Sequence, residues 1–177
     1  NIHGLDIAYT MCGDSQGKKL FCVHGLLSNG RDYDALAQTR AARGYNVICP
    51  DLPGRGRSAW LPDITHYALP HYIPTVLGLI MALSNGEGFD YMGVSLGGMI
   101  GMAIANIPDL KLERLILVDI GAEIPASGLD AVAVLAKTDP MFKSKEDAIA
   151  FLKLRCGAWG ITQEDTWAHL IMHNIVQ

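Results

Sequence analysis

Short β-rich runs alternate with longer helical segments along most of this chain, and this alternation constrains the fold more than any other feature. Residues 19–23, 46–49, 89–94 and 115–118 are apolar almost throughout, as strands buried on both faces should be. Helical patterns lie between them, and residues 2–12 are typical of a β-hairpin or edge pair. Strands joined by helical crossovers predict an α/β domain with a mostly parallel sheet.

Three helices are predicted between these strands. Their patterns cover residues 32–43, 71–84 and 95–106. Pro74 lies inside the second pattern. Because proline is tolerated in the first turn of a helix, we expect this helix to begin near Ile73.

The rhythm changes after residue 118. Residues 128–177 carry helical patterns broken by proline and glycine, with no strand-like run. We therefore expect an α/β core at residues 1–125 and a separate helical layer at residues 126–177. The chain begins at Asn1 and stops within a helical pattern that has no capping residue, so we expect a piece of a longer protein.

Composition excludes several classes of protein. With 177 residues, 50% apolar and 18% charged, the chain is apolar enough to bury one substantial core and is not intrinsically disordered. The net charge is −4 without a long basic run, so neither a nucleic acid nor an anionic membrane is an expected partner. The apolar stretches fall far below the roughly 20 residues of a membrane span.

The expected location is cytoplasmic. The N-terminus has no basic start followed by an apolar segment and a cleavage site, so the sequence gives no indication of secretion. The four cysteines have no CxxC spacing, and Cys22 and Cys49 fall inside predicted strands, where a free thiol packs as a small apolar group. We therefore expect reduced thiols in a soluble protein.

The sharpest chemical signal is Gly93-Val94-Ser95-Leu96-Gly97, a G-x-S-x-G pattern between a predicted strand and a predicted helix. Such a turn strains the serine, and side chains at both glycines would collide with neighbouring backbone. The serine Oγ then projects at a helix N-terminus, where free N–H groups favour developing negative charge. The glycine spacing does not fit G-x-G-x-x-G, and no G-K-[ST] follows, so a nucleotide is not expected to bind.

A second signal is His24-Gly25-Leu26, directly after the predicted strand at residues 19–23. Upstream of a G-x-S-x-G turn, this is where an oxyanion hole needs one backbone N–H. We expect the N–H of Leu26 to join that of Leu96 in this role. His24 is expected to be structural and to hydrogen-bond within the loop, because the catalytic base normally follows the serine along the chain.

A third motif, D-x-P-G-x-G-x-S, occupies residues 51–58 after the strand predicted at residues 46–49. Its proline and glycines predict a rigid turn. Arg55 and Arg57 have no other basic partner nearby in the sequence. We therefore expect this loop to brace the edge of the sheet rather than to bind an anion.

The chain resembles an α/β-hydrolase, because the three motifs occur in the order and approximate spacing of that superfamily. Residues 24–32 and 117–125 are similar to a group of bacterial serine hydrolases, most of them known as generic esterases. The resemblance covers nearly the whole chain. It implies a mostly parallel sheet flanked by helices, Ser95 as nucleophile, a histidine base, an acid, and a helical cap at residues 126–177.

The chain departs from this family after the cap. The complete fold has two further strands there, commonly followed by an acid and by the catalytic histidine, and neither strand is present. The histidines after Ser95 are His169 and His173, four apart on a predicted helix, which is too few ligands for a catalytic zinc. His66 and His71 precede the nucleophile. We therefore expect an incomplete cap, missing C-terminal strands, no general base in this chain and no metal.

Asp119 is a candidate catalytic acid. It follows the strand predicted at residues 115–118, at the edge where open α/β sheets bind ligands, and some α/β-hydrolases take their acid from this position. The alternative is that Asp119 only positions the turn at Gly121. Many relatives have an aspartate here as well as a later one, and this favours the alternative slightly.

The resemblance implies hydrolysis of a carboxylic ester or related acyl compound through an acyl-enzyme on Ser95, with no cofactor. The apolar cap region favours a substrate with a hydrophobic part. The same fold also fits a lactonase, a thioesterase, a carbon–carbon bond hydrolase or a perhydrolase. A third alternative is a catalytically incomplete fragment or a ligand-binding pseudoenzyme, whose unpaired sheet edge invites self-association.

Overall fold

A five-stranded sheet is the frame of the protein in the computed structural model, which describes residues 1–126, 128 and 140–175. The strands are β1 Tyr9–Cys12, β2 Lys18–Val23, β3 Tyr45–Pro50, β4 Phe89–Val94 and β5 Leu112–Val118. Their spatial order is β1-β3-β2-β4-β5. The last four are parallel, and β1 pairs antiparallel with β3. The predicted mostly parallel α/β sheet is confirmed.

The described α-helices are α1 Asp34–Ala41, α2 Leu69–Ser84, α3 Leu96–Ala105, α4 Lys145–Cys156 and α5 Glu164–Asn174. Short 3₁₀ turns occupy Gly30–Tyr33, Ile64–His66 and Gly157–Trp159. Three of the helices, α1 to α3, link consecutive strands of the parallel part, as crossover connections require.

The sheet is buried on both faces because its central strands are apolar on both sides. Alternate residues of β2 enter different clusters: Phe21 and Val23 pack with α2 and α3, whereas Leu20 and Cys22 pack with α1. The helices supply apolar side chains at helical spacing, namely Tyr72, Val76 and Ile80 from α2 and Leu96, Ile100 and Ile104 from α3. This two-sided burial explains the continuous apolar runs in the sequence.

The chain divides into two compact units, Asn1–Ile124 and Pro125–Gln177. The first contains the sheet and α1 to α3, and the described part of the second contains α4 and α5. In the second unit Trp167 and Ile171 of α5 pack with Cys156 of α4 in a small core. Among the described helices of both units, none combines the length and the apolar composition that a membrane crossing requires.

Two details of the predicted elements are wrong. Of the two alternatives for residues 2–12, the hairpin is wrong, because Ile2 and Leu5 make only an isolated bridge, whereas β1 lies at the edge of the sheet and pairs with β3. Helix α2 begins at Leu69 rather than near Ile73. Pro70 occupies its first turn, so Pro74 lies in the helix interior.

Candidate active site

The carboxyl ends of the four parallel strands bring the candidate residues to one edge of the sheet. His24 follows β2, Asp51 follows β3, Ser95 follows β4 and Asp119 follows β5. Because β2, β3, β4 and β5 are parallel, all four residues leave the sheet at the same edge. This is the edge at which open α/β sheets bind ligands.

Ser95 occupies a sharp turn between β4 and α3. Its backbone has φ 49° and ψ −109°, a conformation that residues with a side chain rarely adopt. The turn is held on both sides, since the Ser95 N–H donates to the carbonyl of Val118 at 3.0 Å and its carbonyl accepts from the N–H of Met99 at 3.0 Å. The side chain is half-buried at the N-terminus of α3.

The two flanking glycines allow the backbone to approach itself closely. A Cβ at Gly93 would lie 2.3 Å from the carbonyl oxygen of Gly97. A Cβ at Gly97 would lie 2.0 Å from the carbonyl oxygen of Val23 and 3.0 Å from that of His24. The first turn of α3 therefore packs directly on the backbone at the end of β2.

The loop after β2 passes beside Ser95. Gly25 is buried, and a Cβ built on it would lie 3.7 Å from the Cβ of Ser95. Leu26 follows as a half-buried residue, and Leu96 is the first residue of α3. The two residues predicted to donate oxyanion N–H groups thus belong to the two segments that flank Ser95.

Both ring nitrogens of His24 are engaged in hydrogen bonds. Nε2 accepts from the N–H of Leu52 at 2.9 Å, and the Nδ1–H therefore donates to the carbonyl of Gly25 at 2.7 Å. Burial lowers the pKa of His24 to about 4, against the opposing effects of the Gly25 carbonyl and of Asp51. His24 is thus a neutral residue with a defined tautomer.

The hydrogen bond from His24 to the Gly25 carbonyl also orients the N–H of Leu26. The Gly25 carbonyl and the Leu26 N–H belong to one planar trans peptide, so they point in opposite directions. Because His24 holds the carbonyl, it also fixes the direction of the N–H. A backbone donor held in this way needs no reorganisation when negative charge develops nearby.

Residues 51–58 form a closely bonded loop at the end of β3. The buried Asp51 carboxylate accepts from the N–H of Gly30 at 2.8 Å and from the N–H of Arg57 at 2.9 Å. Ser58 Oγ donates to the carbonyl of Asp51 at 2.6 Å and accepts from the N–H of Ala8 at 2.9 Å. These bonds tie β3 to the loop after β2 and to the segment before β1.

Asp119 is exposed at the end of β5 and has φ 54°. Short polar side chains tolerate this left-handed conformation better than most residues. The carbonyl of the preceding residue, Val118, accepts a hydrogen bond from the backbone N–H of Ser95. Asp119 therefore directly follows, in sequence, a residue that contacts the turn at Ser95.

Four further histidines form two contacting pairs. His66 and His71 stack at a centroid distance of 4.1 Å, and His66 lies 3.9 Å from Asp63. His169 and His173 make an edge-on contact at 4.6 Å on α5, within the second unit. In the first unit, the sequence contains no histidine after Ser95.

Two buried tyrosines that the sequence motifs do not predict support the site. Tyr91 donates its hydroxyl to the carbonyl of Gly97 at 2.8 Å, and Tyr33 donates to the carbonyl of Val23 at 2.9 Å. Burial raises the pKa of both hydroxyls. Tyr91 lies two residues before Gly93 on β4. A tyrosine within an apolar strand is the sequence signal from which a buried polar contact could have been predicted.

Comparison with known proteins agrees with this geometry. The profile of the alpha/beta hydrolase fold family matches residues 19–161, and the chain belongs to that family. Among curated proteins it is similar to 3-hydroxybutyrate-oligomer hydrolase of Cupriavidus necator, with 35% identity over 93% of this chain and 56% of the relative. The chain thus spans little more than half the length of this relative.

Solved structures show the same similarity. A putative hydrolase from Rickettsia typhi has a TM-score of 0.90 and 32% identity, over 98% of this chain and 61% of that one. The thioesterase domain from the curacin biosynthetic pathway has a TM-score of 0.80 and 25% identity, over 98% of this chain and 65% of that domain. The α/β-hydrolase fold predicted from the motifs is confirmed.

Proposed function

We propose that the whole protein is a serine hydrolase of carboxylic esters that works through an acyl-enzyme on Ser95. The observation that carries the proposal is the strained Ser95 at the N-terminus of α3, with Gly25 directly beside it. A serine presented in this way is accessible to an acyl carbonyl, and backbone N–H groups lie on the segments flanking it.

The proposed reaction has two steps. Ser95 Oγ attacks the acyl carbonyl while a histidine takes its proton, and the Leu26 and Leu96 N–H groups stabilise the oxyanion. Collapse of this intermediate expels the alcohol, which receives the proton from the histidine. Water then attacks the acyl-enzyme by the same route and releases the carboxylic acid and free Ser95.

A base and an acid complete the proposed catalytic triad. The first unit has no histidine after Ser95, and this chain spans 56% of its oligomer-hydrolase relative. We therefore assign the base to a histidine outside this chain. Asp119 is the candidate acid, supported by its position at the same sheet edge as Ser95.

The relatives guide the choice of substrate. One is named for hydrolysis of 3-hydroxybutyrate oligomers, whose units are joined by ester bonds, so short oligomers of a hydroxy acid are the first esters to test. Cys22 and Cys49 are buried thiols within β2 and β3, which supports a cytoplasmic location. No cofactor takes part in the proposed reaction.

Hydrolysis by the full-length protein tests this function. We expect turnover of ester substrates, and a loss of at least about 10³-fold in kcat in Ser95→Ala. Ser15→Ala replaces an exposed serine far along the chain from the turn and should leave turnover unchanged. A folded full-length protein that cleaves no ester, or a Ser95→Ala variant as active as the wild type, would contradict the proposal.

Thioester hydrolysis is a second candidate, supported by the 25% identity to a thioesterase domain over 98% of this chain. The acyl-enzyme would be the same, and only the leaving group would differ. A matched pair of substrates, an oxygen ester and a thioester of one acyl group, separates the two through kcat/KM. Lactones and β-diketones in the same assay test the remaining reactions that this fold performs.

A further inference from the structure

Arg55 lies between the loop after β2 and helix α2, with its guanidinium group engaged on several sides. Nε donates to the carbonyl of Leu26 at 3.2 Å, and Nη1 donates to the carbonyl of Pro53 at 2.8 Å and to the Tyr72 hydroxyl. The guanidinium carbon lies 5.6 Å from the ring centre of Tyr67 and 5.4 Å from that of Tyr72. Arg55 therefore has a defined position.

The anchor of this arginine is rigid. Tyr72 is only 1% exposed and belongs to the main core cluster in α2. Tyr67 is held through its hydroxyl, which accepts from the N–H of Leu61 at 2.8 Å. Because a guanidinium presents its donors in a fixed planar fork, an arginine held by these rings also fixes the acceptor at its other end.

That acceptor is the carbonyl of Leu26, the residue whose N–H is proposed to stabilise the oxyanion. Leu26 joins two peptide planes: the one before it carries its N–H, and the one after it carries its carbonyl. His24 holds the first plane through the Gly25 carbonyl, and Arg55 holds the second through the Leu26 carbonyl. With both planes held, rotation about either backbone bond of Leu26 breaks a hydrogen bond.

We propose that Arg55 is a positioning residue that, anchored on Tyr72, holds Leu26 in the orientation needed for its N–H to stabilise the oxyanion. This inference rests on the proposed hydrolase function. In this role Arg55 does not contact the reacting atoms. Its contribution is preorganisation, which appears in the transition state and not in substrate binding.

Kinetics of the full-length protein test the role of Arg55. Arg55→Met keeps the length of the side chain and removes its donors, and we expect kcat to fall roughly 10- to 100-fold with KM within about twofold. Arg55→Lys keeps the charge but loses the planar fork, so it should recover only part of the activity. Tyr72→Phe, which removes the anchoring hydroxyl, should show a smaller loss in the same direction.

The matched control is Arg57→Met, since Arg57 is exposed and its backbone N–H, rather than its side chain, bonds to Asp51. We expect it to keep wild-type kcat. A boronic acid that adds to Ser95 provides a second measurement, because its affinity should fall in Arg55→Met by the same factor as kcat/KM. Added guanidinium, below denaturing concentration, should restore part of kcat in Arg55→Ala.

The result that overturns the inference is a folded Arg55→Met with wild-type kcat and boronate affinity. If Arg55→Met does not fold, Arg55→Lys and Tyr72→Phe decide: reduced kcat at unchanged KM supports the inference, and unchanged kcat overturns it. Failure of the proposed function itself is distinguishable, because the wild type would then show no Ser95-dependent turnover with any substrate.

Discussion

Ser95 stores backbone strain at the point where the chain leaves β4. A non-glycine residue in a sparsely populated conformation costs on the order of 1–3 kcal/mol and persists only when its surroundings hold it. Here the hydrogen bonds to Val118 and from Met99 hold its backbone. The backbone also approaches itself closely at Gly93 and Gly97, where a Cβ would lie 2.3 Å and 2.0 Å from a carbonyl oxygen. The surrounding turn thus maintains the strained conformation of Ser95.

Gly25→Ala is expected to lower catalytic activity while leaving the free energy of unfolding nearly unchanged. A methyl group at position 25 would lie 3.7 Å from Ser95 Cβ, an ordinary contact distance, so Gly25→Ala should keep the free energy of unfolding within about 1 kcal/mol of wild type. The methyl would nevertheless crowd the approach to Ser95. We expect kcat/KM of the full-length protein to fall roughly 10- to 100-fold.

Gly97→Ala is the matched comparison, because its methyl would lie 2.0 Å from the Val23 carbonyl oxygen. It should reduce the free energy of unfolding by about 3 kcal/mol or more. Urea unfolding and ester hydrolysis measure the two variants side by side. A Gly25→Ala variant with full activity, or a Gly97→Ala variant as stable as wild type, would show that the described turn is wrong.

His24 makes stability depend on pH in a defined interval. Its pKa is about 4 in the folded protein, against 6.5 ordinarily. Between these values the unfolded chain binds more protons, so the free energy of unfolding rises with pH up to about 6.5 and falls as pH drops toward 4. The full difference corresponds to roughly 3 kcal/mol.

Urea unfolding of the wild type and His24→Gln at several pH values between about 4 and 7 measures this effect. The other titrating groups are common to both proteins, so the difference between the two slopes isolates His24. The variant should lose that part of the pH dependence. Equal slopes in both proteins would contradict the neutral, buried state of His24.

At the scale of elements, α2 carries an interior proline that the packing tolerates. Pro74 cannot donate to the carbonyl of Pro70, four residues earlier, and its ring crowds that carbonyl. The helix persists because Tyr72, Val76, Leu79 and Ile80 are buried. The apolar face of α2 thus outweighs a local cost of up to about 3 kcal/mol.

Replacing Pro74 measures the cost of the interior proline that burial of the apolar face of α2 outweighs. Pro74 is exposed, so Pro74→Ala should raise the free energy of unfolding by about 1–3 kcal/mol, through restored helix geometry and one more backbone hydrogen bond. Pro70→Ala, in the first turn of α2, should give no such gain. Thermal and urea unfolding compare the two variants, and a Pro74→Ala protein no more stable than wild type would refute the argument.

The elements that local pattern predicts well are those buried on both faces. The strand expected at residues 89–94 matches β4 from end to end, because its apolar run ends directly at the G-x-S-x-G turn. The pairing of β1 is harder to predict, since Tyr9 and Met11 are exposed and its partner β3 lies more than 30 residues away in sequence. A pairing of that kind depends on tertiary contacts, not on local propensity.

At the scale of the whole molecule, the candidate site belongs to the first unit, where four parallel strands end at one edge. The sequence motifs predict that Ser95, His24 and the loop after β3 meet there, because each motif directly follows a buried strand. The contacts of Arg55 with Leu26 and Tyr72 were not predictable, because they join three segments through side chains that carry no local pattern.

Covalent labelling of the full-length protein with a fluorophosphonate tests the nucleophilic role of Ser95. The probe reacts with an activated serine, and mass spectrometry of the digested adduct locates it. We expect one adduct, on the peptide that contains Ser95, and none in Ser95→Ala. A folded wild-type protein that stays unlabelled, or that is labelled at another residue, would show that Ser95 is not the nucleophile.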